Sequence, residues 1–253
     1  MSITEKAIKN HEELWPDYKS RAMETDPELI EIFDNFAFDE VIANGNLDTK
    51  IRVMMILGST IACQAHGEYK MMVNAALNMG VTTVEIKEIL YQSVPYVGIS
   101  KVVDFIYLTN EIFTELGITL PLEGQSTTTP ETRYEKGLKV QKEIFGETID
   151  KMYEKSPKDQ LHIQKYLSAN CFGDYYTRKG LDIKTRELLT LSMLIALGGT
   201  EPQIKGHIQG NVNVGNDKET LLSVMTQLLP YVGYPRTLNA IKCLNEVIPD
   251  LFN

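Results

Sequence analysis

The sequence is short of cysteine, of concentrated positive charge, of long apolar runs and of strand signals, and each shortage excludes something. The three cysteines, Cys63, Cys171 and Cys243, are odd in number and far apart. The first 26 residues are polar and charged, with Ile3, Ile8, Leu14 and Trp15 too scattered to form a secretory leader. Reduced thiols and a cytoplasmic location are therefore expected, with Cys243 read as a small core residue. No apolar run approaches the roughly 20 residues that span a bilayer. Lys and Arg number 25 against 34 Asp and Glu, a net charge of −9, and no basic run occurs. Nucleic acid and anionic membrane both require a concentrated positive patch, so neither is expected as a partner. β-Branched alternation is sparse, and no Asn-Gly turn separates two such runs.

What is present is an ordinary globular balance, 43% apolar and 23% charged residues, in a chain long enough for one large or two small domains. It also contains a repeat. Gln92-Ser93-Val94-Pro95-Tyr96-Val97-Gly98 returns as Gln227-Leu228-Leu229-Pro230-Tyr231-Val232-Gly233, an offset of 135. At that offset Asn78-Met79-Gly80 matches Asn213-Val214-Gly215, and Asn110-Glu111 matches Asn245-Glu246. Upstream the offset becomes 134, pairing Leu47-Asp48, Lys50 and Arg52 with Leu181-Asp182, Lys184 and Arg186, and Phe38 with Phe172. Aligned identities in this order mark an internal duplication.

Both copies read as helices. The run Arg186 to Leu197 is rich in helix formers and closes on Gly198-Gly199. Pro202 suits the first turn of a following helix that ends near Gly215. Asp217 is a predicted N-cap for a third helix through Leu229, with Leu221, Leu222, Met225 and Leu228 on one face, and Pro235 opens a fourth. In the first copy, Thr82 and Glu85 have capping-box spacing. Residues 117–132, with Pro121, Gly124, Pro130 and a Ser-Thr-Thr-Thr run, read as a linker. The expected organisation is all-α: a first unit with an N-terminal extension over 1–116, the linker, and a second unit over 133–253.

Glu187 near the start of a long helix, Gly198-Gly199, Glu201-Pro202, His207, Asn213-Val214-Gly215 and the stretch Gln227 to Pro235 together resemble the carboxymuconolactone decarboxylase family, which includes the alkylhydroperoxidase D branch. The likeness covers most of 181–248, and more loosely 47–116, as in a tandem fusion of two such units. It implies an all-helical fold and a homo-oligomer, three two-unit chains forming a pseudo-hexameric ring. It also implies chemistry on a small-molecule substrate with no cofactor and no metal.

The resemblance gives His207 and Glu187 the catalytic roles. An imidazole is the natural proton carrier near neutral pH, and a carboxylate could orient it. In an ideal hairpin about the Gly198-Gly199 turn the two would lie roughly 6 Å out of level. Arg186 could meet a substrate carboxylate, although its counterpart Arg52 makes a structural ion pair as good a reading. Thr190, Gln227 and Tyr231 are further pocket candidates. Because the Pro-Tyr-Val-Gly segment occurs in both copies, Tyr231 is read chiefly as packing. The first copy has Met72 where His207 stands and Val53 where Glu187 stands, so its site is degenerate. It has instead Cys63 and His66, whose spacing on a helix would place both on one face; they are read as a buried thiol and a histidine near a helix end in preference to a second site, and are too few ligands for a metal.

The expected function is decarboxylation of a small carboxylated lactone resembling γ-carboxymuconolactone, or a related proton transfer. Two alternatives stand beside it. One is a peroxidase working through Cys171 or Cys63, although the C-x-x-C of that branch is replaced by Thr200 and Gln203, and by Ala65 and Glu68. The other is a non-catalytic oligomeric binding or scaffold protein.

Overall fold

Several helices begin where a side chain offers an acceptor to their first free N–H groups. Asp48 accepts from Ile51 N at 3.2 Å, Asp182 from Thr185 N at 2.8 Å and Asp217 from Thr220 N at 2.8 Å. Thr82 and Glu85 form a complete capping box. Asp48 and Asp182 are equivalent positions of the repeat, as are Thr82 and Asp217, and each cap is worth ~1 kcal/mol.

The computed structural model describes residues 2–249, and among these it contains helices and no strand. The first copy comprises α1 (Glu5–Leu14), α2 (Ala22–Thr25), α3 (Pro27–Asn35), α4 (Thr49–Ala62), α5 (His66–Asn78), α6 (Thr83–Val97) and α7 (Ile99–Glu115). After residues 117–132 come α8 (Arg133–Phe145), α9 (Thr148–Lys155), α10 (Leu161–Tyr166), α11 (Ile183–Leu197), α12 (Glu201–Asn213), α13 (Lys218–Val232) and α14 (Tyr234–Val247). α3 and α10 each run on into a wider, π-helical segment, Phe36–Glu40 and Leu167–Tyr176, and these hold the matched pair Phe38 and Phe172. No helix of the described residues is long and apolar enough to cross a membrane.

The equivalent helices α4 and α11 lie against each other at the centre, flanked by α6 and α13. α11 is buried at every position from Thr185 to Ala196, the signature of a helix covered on all sides. Side chains from both copies, including Val53, Leu57, Leu189 and Met193, share one hydrophobic core. Truncating any such leucine to alanine costs ~2–5 kcal/mol. The duplication also reaches further back than the sequence reveals. Asn78 Nδ2 donates to Leu14 O and Asn213 Nδ2 to Ile144 O, both at 2.8 Å, so α1 and α8 are equivalent.

Three sequence expectations are revised. α13 runs past Leu229, through Pro230, to Val232. Leu222 is exposed, because the buried stripe of α13 is Leu221, Val224, Met225 and Leu228 and residue 222 falls outside it. Cys63 and His66 do not share a helix face. α4 ends at Cys63, Gln64 takes a positive φ of 59°, and His66 opens α5 and stacks on Phe105.

α8 and the π-helical segment approach so closely that a Cβ on Gly137 would sit 1.9 Å from Ser168 O and 2.5 Å from Gly173 N. Both obstacles are backbone and cannot rotate away. Gly137→Ala is therefore expected to lower stability by ~1–3 kcal/mol, read as a lower urea midpoint at unchanged slope. An unchanged midpoint would contradict the close approach.

Candidate active site

α11 and α12 form a hairpin across Gly198-Gly199-Thr200. Asn211 Nδ2 donates to His207 O at 2.8 Å and to Glu187 O at 3.1 Å. One nitrogen thus meets a carbonyl from each helix and ties α12 to α11 beside the pair. The Glu187 side chain reaches across the hairpin, and its Oε2 meets His207 Nδ1 at 2.9 Å. Gly210 makes the reach possible, since a Cβ there would stand 2.6 Å from Glu187 Oε2.

The Glu187 carboxylate is fully buried, and its second oxygen accepts from Tyr176 Oη at 2.7 Å. Tyr176 in turn is bonded to Thr190 Oγ1 at 2.8 Å and receives Tyr96 Oη at 3.0 Å. Gln92 Nε2 donates to Thr190 Oγ1 at 3.2 Å. Burial, reinforced for Tyr96 by Cys171 and for Tyr176 by Glu187, holds both phenols well above their usual pKa. They stay protonated and act as donors, so the carboxylate is fixed at both oxygens.

The histidine ring is nearly buried between aromatic edges, with Phe145 at 5.4 Å and Tyr96 at 5.7 Å between centroids, both near perpendicular. Phe172 stands edge-on behind Phe145. With Nδ1 committed to Glu187, Nε2 is the nitrogen left to meet a reacting molecule. The arrangement is an imidazole hydrogen-bonded to a buried carboxylate within aromatic walls. Among the described residues no three His, Cys, Asp or Glu side chains converge as a metal ion would require.

The structure thus brings together His207, Glu187 and Thr190, and puts the other candidates elsewhere. Arg186 has no exposed surface: Nη1 donates to Gln92 Oε1 and Nη2 to Glu88 Oε2, both at 2.9 Å, and Nη2 also to Arg178 O. Gln227 Nε2 is bonded to Val41 O at 2.9 Å. Tyr231 packs edge-on to Phe33 and lines a cleft of about 210 Å³ on the first copy with Cys63 and Glu68. Its equivalent, Tyr96, is the residue that touches His207. The two copies therefore exchange their tyrosines. The motif in the degenerate copy places Tyr96 against His207 of the other copy. Tyr176, Phe145 and Phe172 carry no sequence signal of their role.

Cys171 is buried, with its Sγ 3.7 Å from Tyr96 Oη. Burial pushes its pKa up to about 12, and Glu187 adds to the rise. Cys63 is half-buried, 3.7 Å from Arg236 Nη1, and burial raises its pKa despite that cation. Neither is poised as a thiolate, the form that attacks a peroxide. Alkylation of native protein at about pH 8 is expected to modify Cys63 first and spare Cys171 until denaturant is added. Peptide mass spectrometry reads this directly, and rapid native labelling of Cys171 would contradict its burial.

Comparison with known proteins matches both copies to one family. The carboxymuconolactone decarboxylase family matches residues 27–111 and 162–246, two regions 135 residues apart at both ends. The 4-carboxymuconolactone decarboxylase of Acinetobacter baylyi is 31% identical over 122 residues, 48% of this chain and 90% of that protein. Nitrosuccinic acid decarboxylase npaB of Metarhizium robertsii is 24% identical over 119 residues, 47% of this chain and 82% of that protein. Each relative spans about the length of one copy. With both copies matched, most of the sequence covered and the fold helical throughout, the chain belongs to the carboxymuconolactone decarboxylase family, as a tandem two-copy member.

Proposed function

We propose that this protein is a cofactor-independent decarboxylase of a small carboxylated substrate bearing an electron sink, with a lactone resembling γ-carboxymuconolactone as the first candidate. The single observation that carries the reading is the Glu187–His207 bond of 2.9 Å inside an aromatic enclosure. The names of both relatives fit one chemical logic: a carboxylate beside a group, lactone or nitro, that can accept an electron pair.

In the proposed step the bond from carbon to the carboxylate breaks and carbon dioxide leaves. The bonding pair passes into the conjugated lactone carbonyl to give a dienolate. His207, as imidazolium, delivers its Nε2 proton to carbon, and the neutral ring regains a proton from solvent. Glu187 balances the imidazolium and fixes its orientation, while Tyr176 and Thr190 hold Glu187 in place. The apolar edges of Phe145 and Tyr96 leave the departing carboxylate poorly solvated, which favours its loss. Arg186, Gln227 and Tyr231 act away from the reacting atoms. A thiol peroxidase is the weaker reading, because burial keeps Cys171 protonated.

The test follows γ-carboxymuconolactone absorbance with purified protein. His207→Ala is expected to lower kcat about a hundredfold to ten-thousandfold, the usual worth of a positioned proton donor. Gly210→Ala, which displaces the Glu187 carboxylate, should also lower kcat while circular dichroism stays native. Tyr176→Phe is expected to cost about tenfold, one hydrogen bond to a charged group. A wild type inert toward this lactone removes that substrate, and turnover retained by His207→Ala removes His207 from the chemistry.

The same reading extends to assembly. Leu29, Ile32, Tyr107 and Leu238 are exposed apolar side chains, and a ring of three chains is expected to cover surface of this kind. Sedimentation velocity should find a trimer; a single-chain species at every concentration would refute it.

A further inference from the structure

A second cavity, of about 370 Å³, lies away from His207, between α6, α7 and residues 120–125 of the linker. Its notable wall residue is Lys87, which is 7% exposed. The Lys87 ammonium donates to the side-chain oxygen of Asn110 and lies 5.7 Å from the centre of the Phe113 ring. Both contacts are with neutral groups, and no described carboxylate is paired with it. Glu88, the neighbouring acid, is spent on Arg178 and Arg186: Arg178 Nε meets its two oxygens at 2.9 and 3.1 Å, and Arg186 Nη2 meets Oε2 at 2.9 Å. Glu123 is on the exposed part of the linker and makes no bond to Lys87.

A buried cation without a counter-ion is costly, and burial already drives the Lys87 pKa downward. Here the cation faces a cavity rather than solid core, so the missing charge has somewhere to sit. Arg178, its guanidinium stacked on Tyr91 at 4.9 Å, also lines the wall, its charge already met by Glu88. Asn110 and Gln125 add amides, while Val84, Ile106, Leu120 and Leu122 make the remainder apolar. This combination of an oily wall, a few convergent polar groups and one unneutralised cation is that of a small-molecule site.

We propose that this cleft binds a small organic carboxylate with an apolar body, its carboxylate on Lys87 and its body against the apolar wall. The site is separate from the catalytic pair and does not depend on the decarboxylase reading. It is linked to that pair nonetheless. The Glu88 on its wall holds Arg186, and Arg186 precedes Glu187 on α11.

The test is calorimetric titration of the full chain with benzoate, and with benzamide as its uncharged counterpart. Benzoate is expected to bind saturably, one per chain. Lys87→Met should weaken it about tenfold or more, the worth of a charge-assisted hydrogen bond. Benzamide should bind at least as poorly to the wild type as benzoate does to that variant. Binding should be unchanged in His207→Ala, which separates this cleft from the catalytic site. Lys87→Gln, which keeps a donor for Asn110, serves if the methionine variant does not fold. Any one of four results overturns the proposal: no saturable benzoate binding, equal affinity in the Lys87 variant, equal affinity for benzamide, or loss of binding in His207→Ala.

Discussion

Arg186 carries a guanidinium with no access to water, and a charge in that position must be paired or it destabilises the fold. Its partners all lie off its own helix. Glu88 and Gln92 come from α6 of the first copy, and the Arg178 carbonyl comes from the segment leading into α11. Satisfying this one side chain therefore fixes the two copies against each other. Glu88, Gln92 and Tyr96 recur every fourth residue, so they share one face of α6. Once Glu88 and Gln92 are bound to Arg186, Tyr96 is carried to Tyr176 and His207. The buried charge thus determines where the site's aromatic wall stands.

The first copy, without an equivalent of the histidine or the carboxylate, still touches the second copy's pair. The first copy contributes nothing like His207, since Met72 is buried where the histidine would be. It supplies Gln92 to Thr190 and Tyr96 to Tyr176, and through these the Glu187 carboxylate is held. The second copy reciprocates with Tyr231 beside Cys63 and Glu68. A two-fold relation between copies makes such exchange automatic. Each α6-type helix lies across the other copy's α11-type helix, so a motif retained for one site appears in the sequence of the other.

The all-helical fold and the duplication were legible because each has a local mark, whereas the Glu187–His207 pair was singled out by the family resemblance. Caps at Asp182 and Asp217, the stop at Gly198 and the recurrence of Pro-Tyr-Val-Gly are readable along the chain. The Glu187 side chain reaches His207 across the hairpin at 2.9 Å. Leu222 was misplaced where a short run was assigned too broad a face, and a shared helix face for Cys63 and His66 fails because a helix ends between them. A shift of one residue along a helix redirects a side chain by about 100°.

By itself the sequence determined the helices, their caps, the duplication and which copy kept its ionisable pair. These depend on propensity, periodicity and identity, which are properties of neighbours in the chain. Only the tertiary structure decided that Arg186 is a buried tie, that Tyr96 serves His207 while Tyr231 serves the opposite copy, and that Tyr176 anchors Glu187. It also decided that Lys87 is left without a counter-ion beside a cavity. The physical reason is the same in each case. A polar group's role is set by which partners remain within hydrogen-bond reach once water is excluded, and for Arg186 and Tyr96 these include partners 80 to 98 residues away.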